Sequence, residues 1–110
     1  MARAATTTDV FNAVAEPRRR EILTLLSRNE SSVNSLVAST ALSQPQVSKH
    51  LRVLRAVGLV TVRDAGRQRL YRIDAQPLRD MHEWLSPFEQ LWAERFDALD
   101  AVLEKLKEEQ

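Results

Sequence analysis

Three observations predict a mainly helical fold carrying one small β-hairpin. Glycine occurs twice and proline four times in 110 residues, so few points allow the chain to turn without regular structure. Apolar residues recur at helical spacing over most of the length, and only residues 59 to 74 alternate instead, with β-branched and aromatic side chains. At this length a single domain over residues 1–110 is expected.

Asp9 or Thr8 is placed to cap a short first helix with Val10, Phe11 and Val14 on one side. Pro17 suits the first turn of a second helix, whose Ile22, Leu23, Leu25 and Leu26 are apolar. Val33, Leu36 and Val37 have the i, i+3, i+4 spacing of a third helix over residues 33–39. Ser43 followed three residues later by Gln46 forms a capping box, which starts a fourth helix at Gln44. On that helix Val47, Leu51 and Leu54 share one face, while Pro45, Ser48, Lys49, Arg52 and Ala56 lie opposite, and Gly58 ends it. Residues 59–64 and 69–74 read as a hairpin around Ala65, Gly66, Arg67 and Gln68. From Gln76 to Glu109 the pattern is helical again, with a break or kink expected at Pro87. The first helix and residues 76–110 are expected to form a dimerisation arm.

The composition is that of an ordinary globular chain, 44% hydrophobic and 28% charged, with no apolar run near the ~20 residues of a membrane helix. The start, MARAATTTDV, lacks the apolar segment of a secretory signal, and zero cysteines leave no disulfide framework and no thiolate metal site. A cytoplasmic protein is expected. The net charge of +1 conceals a division: residues 43–73 carry seven basic side chains against one acid, and residues 74–110 carry four against ten acids. A compact basic segment in a nearly neutral chain points to a local polyanion-binding surface.

Two helices joined by a tight turn, the second with a cationic polar face, followed by an Arg-rich hairpin, suit double-stranded DNA. A helix fits the ~12 Å major groove and a hairpin reaches the flanking backbone or minor groove. Gln44, Gln46 and Ser48 have side chains that read base edges, while Lys49, Arg52 and Arg55 pair with phosphate or guanine, and Arg67, Gln68 and Arg69 at the hairpin tip are the expected wing contacts. Arg63 and Arg72 add to the cationic hairpin, whose alternative reading is a solvated edge protected by charge. Phe11, Phe88, Leu91, Trp92, Leu99, Val102 and Leu106 form an apolar set larger than three short helices and a hairpin can cover, and are expected at a twofold interface. The alternative for that set is ordinary core.

The stretches AEPRRREILTLL, LSQPQVSKHLRVLRAVGLV and GRQRLYRID, in unbroken order, resemble the ArsR family of winged helix-turn-helix repressors over residues 9 to 75. The resemblance implies a homodimer that occupies a palindromic operator and releases it on a signal, with recognition positions at Gln44, Gln46, Ser48 and Lys49. The arsenic and cadmium or lead sensors of that family carry a CVC pattern where this chain reads Ser32, Val33 and Asn34, so that soft-metal site is not expected. Zinc-type members use a D-x-H pair, matched here by Asp80 and His82, but the completing positions are Ala93 and Phe96. No metal and no cofactor are therefore expected, with a metal-sensing repressor built on Asp80 and His82 as a subsidiary reading. His50 lies nearer the core face than the DNA face and is expected to make a structural hydrogen bond, a phosphate contact being the alternative. Arg18, Arg19 and Arg20 are read as pairing with Glu16, Glu21 or the acidic tail, or as touching flanking phosphate. An enzyme is not expected: the two histidines stand on different elements, and no phosphate loop or converging carboxylate pair is present. The runner-up reading is a winged-helix protein-interaction module.

Overall fold

The computed structural model describes residues 9–109; Thr8, the alternative first cap, lies outside them. The order is α1 (Val10–Ala15), α2 (Pro17–Leu26), α3 (Val33–Ser39), α4 (Gln44–Ala56), β1 (Val60–Ala65), β2 (Gln68–Ile73) and α5 (Gln76–Glu108). The chain divides into two compact units, one up to Arg79 and one from Asp80 onward.

Local signals set the helix ends. The Asp9 carboxylate accepts the Asn12 N–H at 2.6 Å and starts α1. Glu16 closes α1 and opens α2, its carboxylate accepting the N–H groups of Arg18 and Arg19, with Pro17 in the first turn where a missing N–H costs nothing. Arg19 and Arg20 then reach back: Arg19 Nε donates to the Ala13 carbonyl at 2.7 Å and Arg20 to the Val14 carbonyl at 2.8 Å. These cations satisfy carbonyls that the end of α1 would otherwise leave unpaired. The arginine run thus mainly clamps α1 onto α2, and among the described residues only Arg18 pairs with a predicted acid, Glu21, at 3.4 Å.

Ser43 and Gln46 make the expected capping box on α4. At its far end Gly58 N–H donates to the Arg55 carbonyl and Leu59 N–H to the Leu54 carbonyl, the paired bonds of a Schellman motif. Gly58 has φ +81°, which an L side chain adopts at a cost, so the residue type sets the sharp exit into β1. The hairpin is antiparallel with Val60 opposite Ile73 and Val62 opposite Tyr71. Its loop is tighter than the four residues expected from sequence: Ala65 and Gln68 pair in the ladder, leaving only Gly66 and Arg67. Gly66 at φ +67° followed by a residue of negative φ fits a type II′ turn, whose twist matches the strands.

The core of the first unit is formed by Ala13, Ile22, Leu23, Leu26, Leu36, Leu42, Val47, Leu51, Leu54, Leu59 and Val60. α4 contributes the three apolar positions predicted for its inner face, each at most 2% exposed. On α1 the expectation of a common side fails in part: Ala13 is buried and Val10 and Val14 are half-buried, whereas Phe11 is exposed. Successive helix positions differ by about 100°, so Phe11 cannot follow Val10 and Val14 inward.

Of the break or kink expected at Pro87, no break occurs, and α5 runs through the proline as one helix. Proline deprives one carbonyl of its partner, but the flanking turns are rich in good helix formers and retain the rest of the ladder. No residue of α5 is buried. Trp92, Leu99 and Leu106 recur at heptad spacing along it and all are about half exposed or more, between 52% and 62%. Trp84 and Phe88 pack ring to ring at 5.1 Å.

Candidate nucleic-acid interface

Gln44 and Gln46 stand in the capped first turn of α4, and Ser48 and Lys49 follow about one turn further on. Gln44, Gln46, Lys49, Arg52 and Arg55 are exposed and Ser48 is half-buried. A groove of about 370 Å³ brings Gln44 and Ser48 of α4 together with Arg67, Gln68 and Arg69 of the hairpin. Five of the nine predicted DNA contacts thus line one depression; Gln46, Lys49, Arg52 and Arg55 lie along α4 outside it.

Gln46 differs from its neighbours in being already engaged. Its side-chain carbonyl accepts the Ser43 N–H at 2.8 Å and lies 3.1 Å from the Ser43 hydroxyl, so only its amide N–H₂ is free of the cap. Arg69 lies 3.8 Å from Asp64, directly across the hairpin, a loose and exposed pair. By contrast, no hydrogen bond or ion pair among the described residues engages the side chains of Gln44, Ser48, Arg67 or Gln68.

Sequence reasoning missed the third wall of the groove, made of Ser32, Val33 and Asn34 at the start of α3 with Tyr71 of β2. The cap itself was legible as Ser32 three residues before Ser35, whose N–H it accepts at 3.1 Å. What holds α3 against the hairpin is nonlocal. Ser31 and Tyr71 exchange both backbone hydrogen bonds, at 2.9 and 2.8 Å, in an isolated bridge. Arg63 adds a two-pronged contact to Glu30, with Nε 3.1 Å from Oε2 and the second prong from its terminal nitrogen to Oε1. The Arg63 hydrogen bond holds the Glu30 carboxyl below its ordinary value, and Glu30 in turn raises the Arg63 guanidinium. Arg63 was expected among the DNA-facing wing cations; the structure commits it to Glu30.

His50 points inward, its side chain only 15% exposed, with Nε2 3.9 Å from the Glu16 carboxylate and Nδ1 buried without a hydrogen-bond partner among the described residues. That separation is too long for the structural hydrogen bond expected of it. Burial pushes the imidazole below its ordinary value; Glu16 opposes this and the cations Arg19, Lys49 and Arg18 reinforce it. On α5, His82 Nδ1 faces Glu89 Oε1 at 3.4 Å, and the described residues hold no group of three or more metal-ligating side chains.

Three helices, with α4 exposed along its outer face, and a hairpin folded against them define a winged helix-turn-helix protein. The family model for "Bacterial regulatory protein, arsR family" matches residues 16–62. An ArsR-like transcriptional regulator from Rhodococcus sp. RHA1 has a solved structure that superposes with a TM-score of 0.70 at 33% identity, over 87% of this chain and 88% of that one. Among curated relatives, the HTH-type transcriptional repressor SmtB of Mycobacterium tuberculosis is 38% identical over 65 residues, 59% of this chain. The chain spans about half, 48%, of that repressor's length. The transcriptional activator HlyU of Vibrio cholerae is 37% identical over 76 residues, 69% of this chain and 70% of HlyU. The chain belongs to the ArsR family of bacterial transcriptional regulators, which are regulatory proteins and not enzymes. No helix among the described residues is long and apolar enough to cross a membrane.

Proposed function

We propose that this protein is a sequence-specific DNA-binding repressor that acts as a homodimer on a palindromic operator. The observation that carries the reading is the set of free amide, hydroxyl and guanidinium donors of Gln44, Ser48, Arg67 and Gln68 around one groove, with Lys49, Arg52 and Arg55 exposed along the same helix. α4 enters the major groove, its glutamines and Ser48 reading base edges, while its cations and the wing arginines hold phosphates. Arg63 serves by fixing the wing rather than by touching DNA.

The homodimer reading rests on the half-exposed apolar stripe of α5, including Phe88, Leu91, Trp92, Leu99, Val102 and Leu106, and on Phe11, 48% exposed on α1. A contiguous apolar face of this length is what an isologous partner covers. A twofold dimer sets two reading helices about 34 Å apart, one helical turn of DNA, and so calls for a palindrome. Bound over a promoter, it represses by excluding polymerase from the site, and it is read as a cytoplasmic protein.

The test is salt-dependent binding of the purified protein to its own promoter fragment and to random duplex, together with its mass in solution. Nanomolar, promoter-selective binding by a species of twice the 12.6 kDa chain mass supports the reading. Equal, weak binding to both duplexes overturns it in favour of a protein-interaction module. Transcription that rises rather than falls when the protein is added to the promoter overturns repression while leaving DNA reading intact.

A further inference from the structure

The chain has two histidines: His82 stands exposed on α5, and His50 is largely buried on α4, against the junction of α1 and α2. We propose that His50 is a positioning residue that keeps α4 seated on this junction only while its imidazole is neutral, so that acidification unseats the reading helix and weakens promoter binding. The proposal rests on the DNA-binding reading above and gives that reading a proton-sensitive control.

Three features of this joint carry the proposal. α4 packs against both α1 and α2, and His50 meets them at Glu16, the residue that closes one and opens the other. Glu16 is already committed: its Oε2 accepts the N–H groups of Arg18 at 2.9 Å and Arg19 at 3.2 Å, and the same atom lies 3.9 Å from His50 Nε2. On the other side of the ring, Nδ1 is buried with no hydrogen-bond partner among the described residues. A neutral imidazole carries N–H on one nitrogen only, whereas an imidazolium carries it on both. The charged groups around the ring are Glu16, Arg18 and Arg19 of the junction and Lys49 of α4 itself, three cations against one carboxylate.

Protonation thus places a donor where nothing accepts it and a positive charge in a largely buried site beside three cations. Two responses relieve this. The Glu16 carboxylate moves onto Nε2 and gives up N–H groups that it caps on α2, or α4 shifts until the ring reaches water. Either one changes how α4 sits on the junction, and Ser48 and Lys49, the two residues before His50, move with it. Hydrogen bonds to base edges weaken steeply outside about 2.7–3.2 Å, so selectivity is lost before the phosphate contacts of the long cationic side chains. Burial, with the three cations reinforcing it and Glu16 opposing, holds the seated imidazole below its ordinary 6.5. A ring that reaches water regains the ordinary value, so the seated form is favoured above about pH 6.5 and loses ground as pH falls below it.

Binding of the parent, His50→Gln and His82→Gln to promoter and random duplex from about pH 8 to about pH 5, with unfolding midpoints at each pH, tests this. Glutamine is polar but does not titrate, and His82→Gln reports the histidine on the other unit. The expected result is that the parent's preference for promoter over random duplex falls by about tenfold across the range while the chain is still folded. His82→Gln falls with it, and His50→Gln changes much less. In the parent itself, the amide NMR signals of α4 are expected to shift with the titration of the His50 ring; signals that stay fixed through it overturn the joint, and this measurement needs no variant. An equal fall in the parent and His50→Gln overturns it too. Parent affinity that rises in acid more than that of His50→Gln, on both duplexes, makes His50 a phosphate contact instead. A fall confined to pH values at which the parent unfolds makes His50 a stability element only, and overturns the control of binding. The double variant Lys49→Glu with Arg52→Glu checks the underlying reading: binding of both duplexes unchanged by it at every pH overturns DNA binding by α4 itself, whereas binding lost in it leaves that reading standing whatever His50 does.

Discussion

Gln46 joins two kinds of chemistry in one side chain. Its carbonyl closes the capping box on Ser43, and its amide N–H₂ is left outside the cap on an exposed residue in the first turn of α4. Gln46→Ala therefore acts twice, costing about 1 kcal/mol of stability through the cap and about 1–3 kcal/mol of discrimination at one base position. Gln46→Glu separates the two effects, because a carboxylate still accepts from Ser43 N–H but has no donor for a base. The expected outcome is an unfolding midpoint close to the parent's with promoter-selective affinity lost; promoter binding equal to the parent's would confine Gln46 to the cap. His50 gives a second residue-scale prediction. Its folded-state pKa lies below the ordinary 6.5, so as pH falls through about that value the unfolded chain takes up a proton that the native chain resists. Stability present above pH 6.5 is then lost toward lower pH, a window distinct from that of Glu30, whose lowered carboxyl acts below 4.5. Denaturant midpoints measured across this range should decline for the parent and much less for His50→Gln. An equal decline in both would remove His50 as the source.

The elements differ in how their ends are held. α4 is closed at both ends by motifs within its own sequence, the capping box and the Schellman turn. α1, with only six residues, relies on carbonyl contacts from Arg19 and Arg20 of the next helix, since an isolated helix of that length does not persist in water. α5 has the opposite problem: it is long enough to be helical, but Pro87 removes one internal donor. Pro87→Ala should restore that bond and stabilise the helix by up to ~3 kcal/mol, seen as higher helicity by circular dichroism and later melting. An unchanged or lower melting temperature would mean that proline's geometry is needed along the arm. A gain in α5 stability with weakened DNA binding would further assign Pro87 a part in how the arm is used.

For the whole molecule the decisive quantity is apolar surface. The unit up to Arg79 has a closed core, whereas α5 shows an exposed stripe in which Trp92, Phe96 and Leu99 line a shallow depression with Arg95. A carboxylate placed in that stripe must either stay wet or be buried unpaired, which costs several kcal/mol in an apolar interface. Leu99→Asp is therefore expected to give a monomer by sedimentation, with at least about tenfold weaker operator binding because two half-sites no longer act together. The first unit should keep its near-parent unfolding midpoint, since Leu99 lies outside its core. A dimer that survives Leu99→Asp would overturn the assignment of this stripe as the interface.

The helix caps and the inner face of α4 were legible in the sequence because they depend on residues three or four positions apart. Asp9 before α1, Pro17 at the start of α2, Ser43 with Gln46, and Gly58 after α4 each act through bonds within a single turn of chain. The buried face of Val47, Leu51 and Leu54 follows from the same periodicity. Tertiary structure alone decided the interactions that span the chain. It paired Arg63, expected among the wing cations, with Glu30, 33 residues earlier, and joined Ser31 to Tyr71 to make α3 a wall of the groove. It also left His50 near Glu16 without a bond. Periodicity states which side of a helix turns inward; which distant group it meets there depends on how the elements pack, because that partner is brought close only once loop-closure entropy has been offset by burial of the common core.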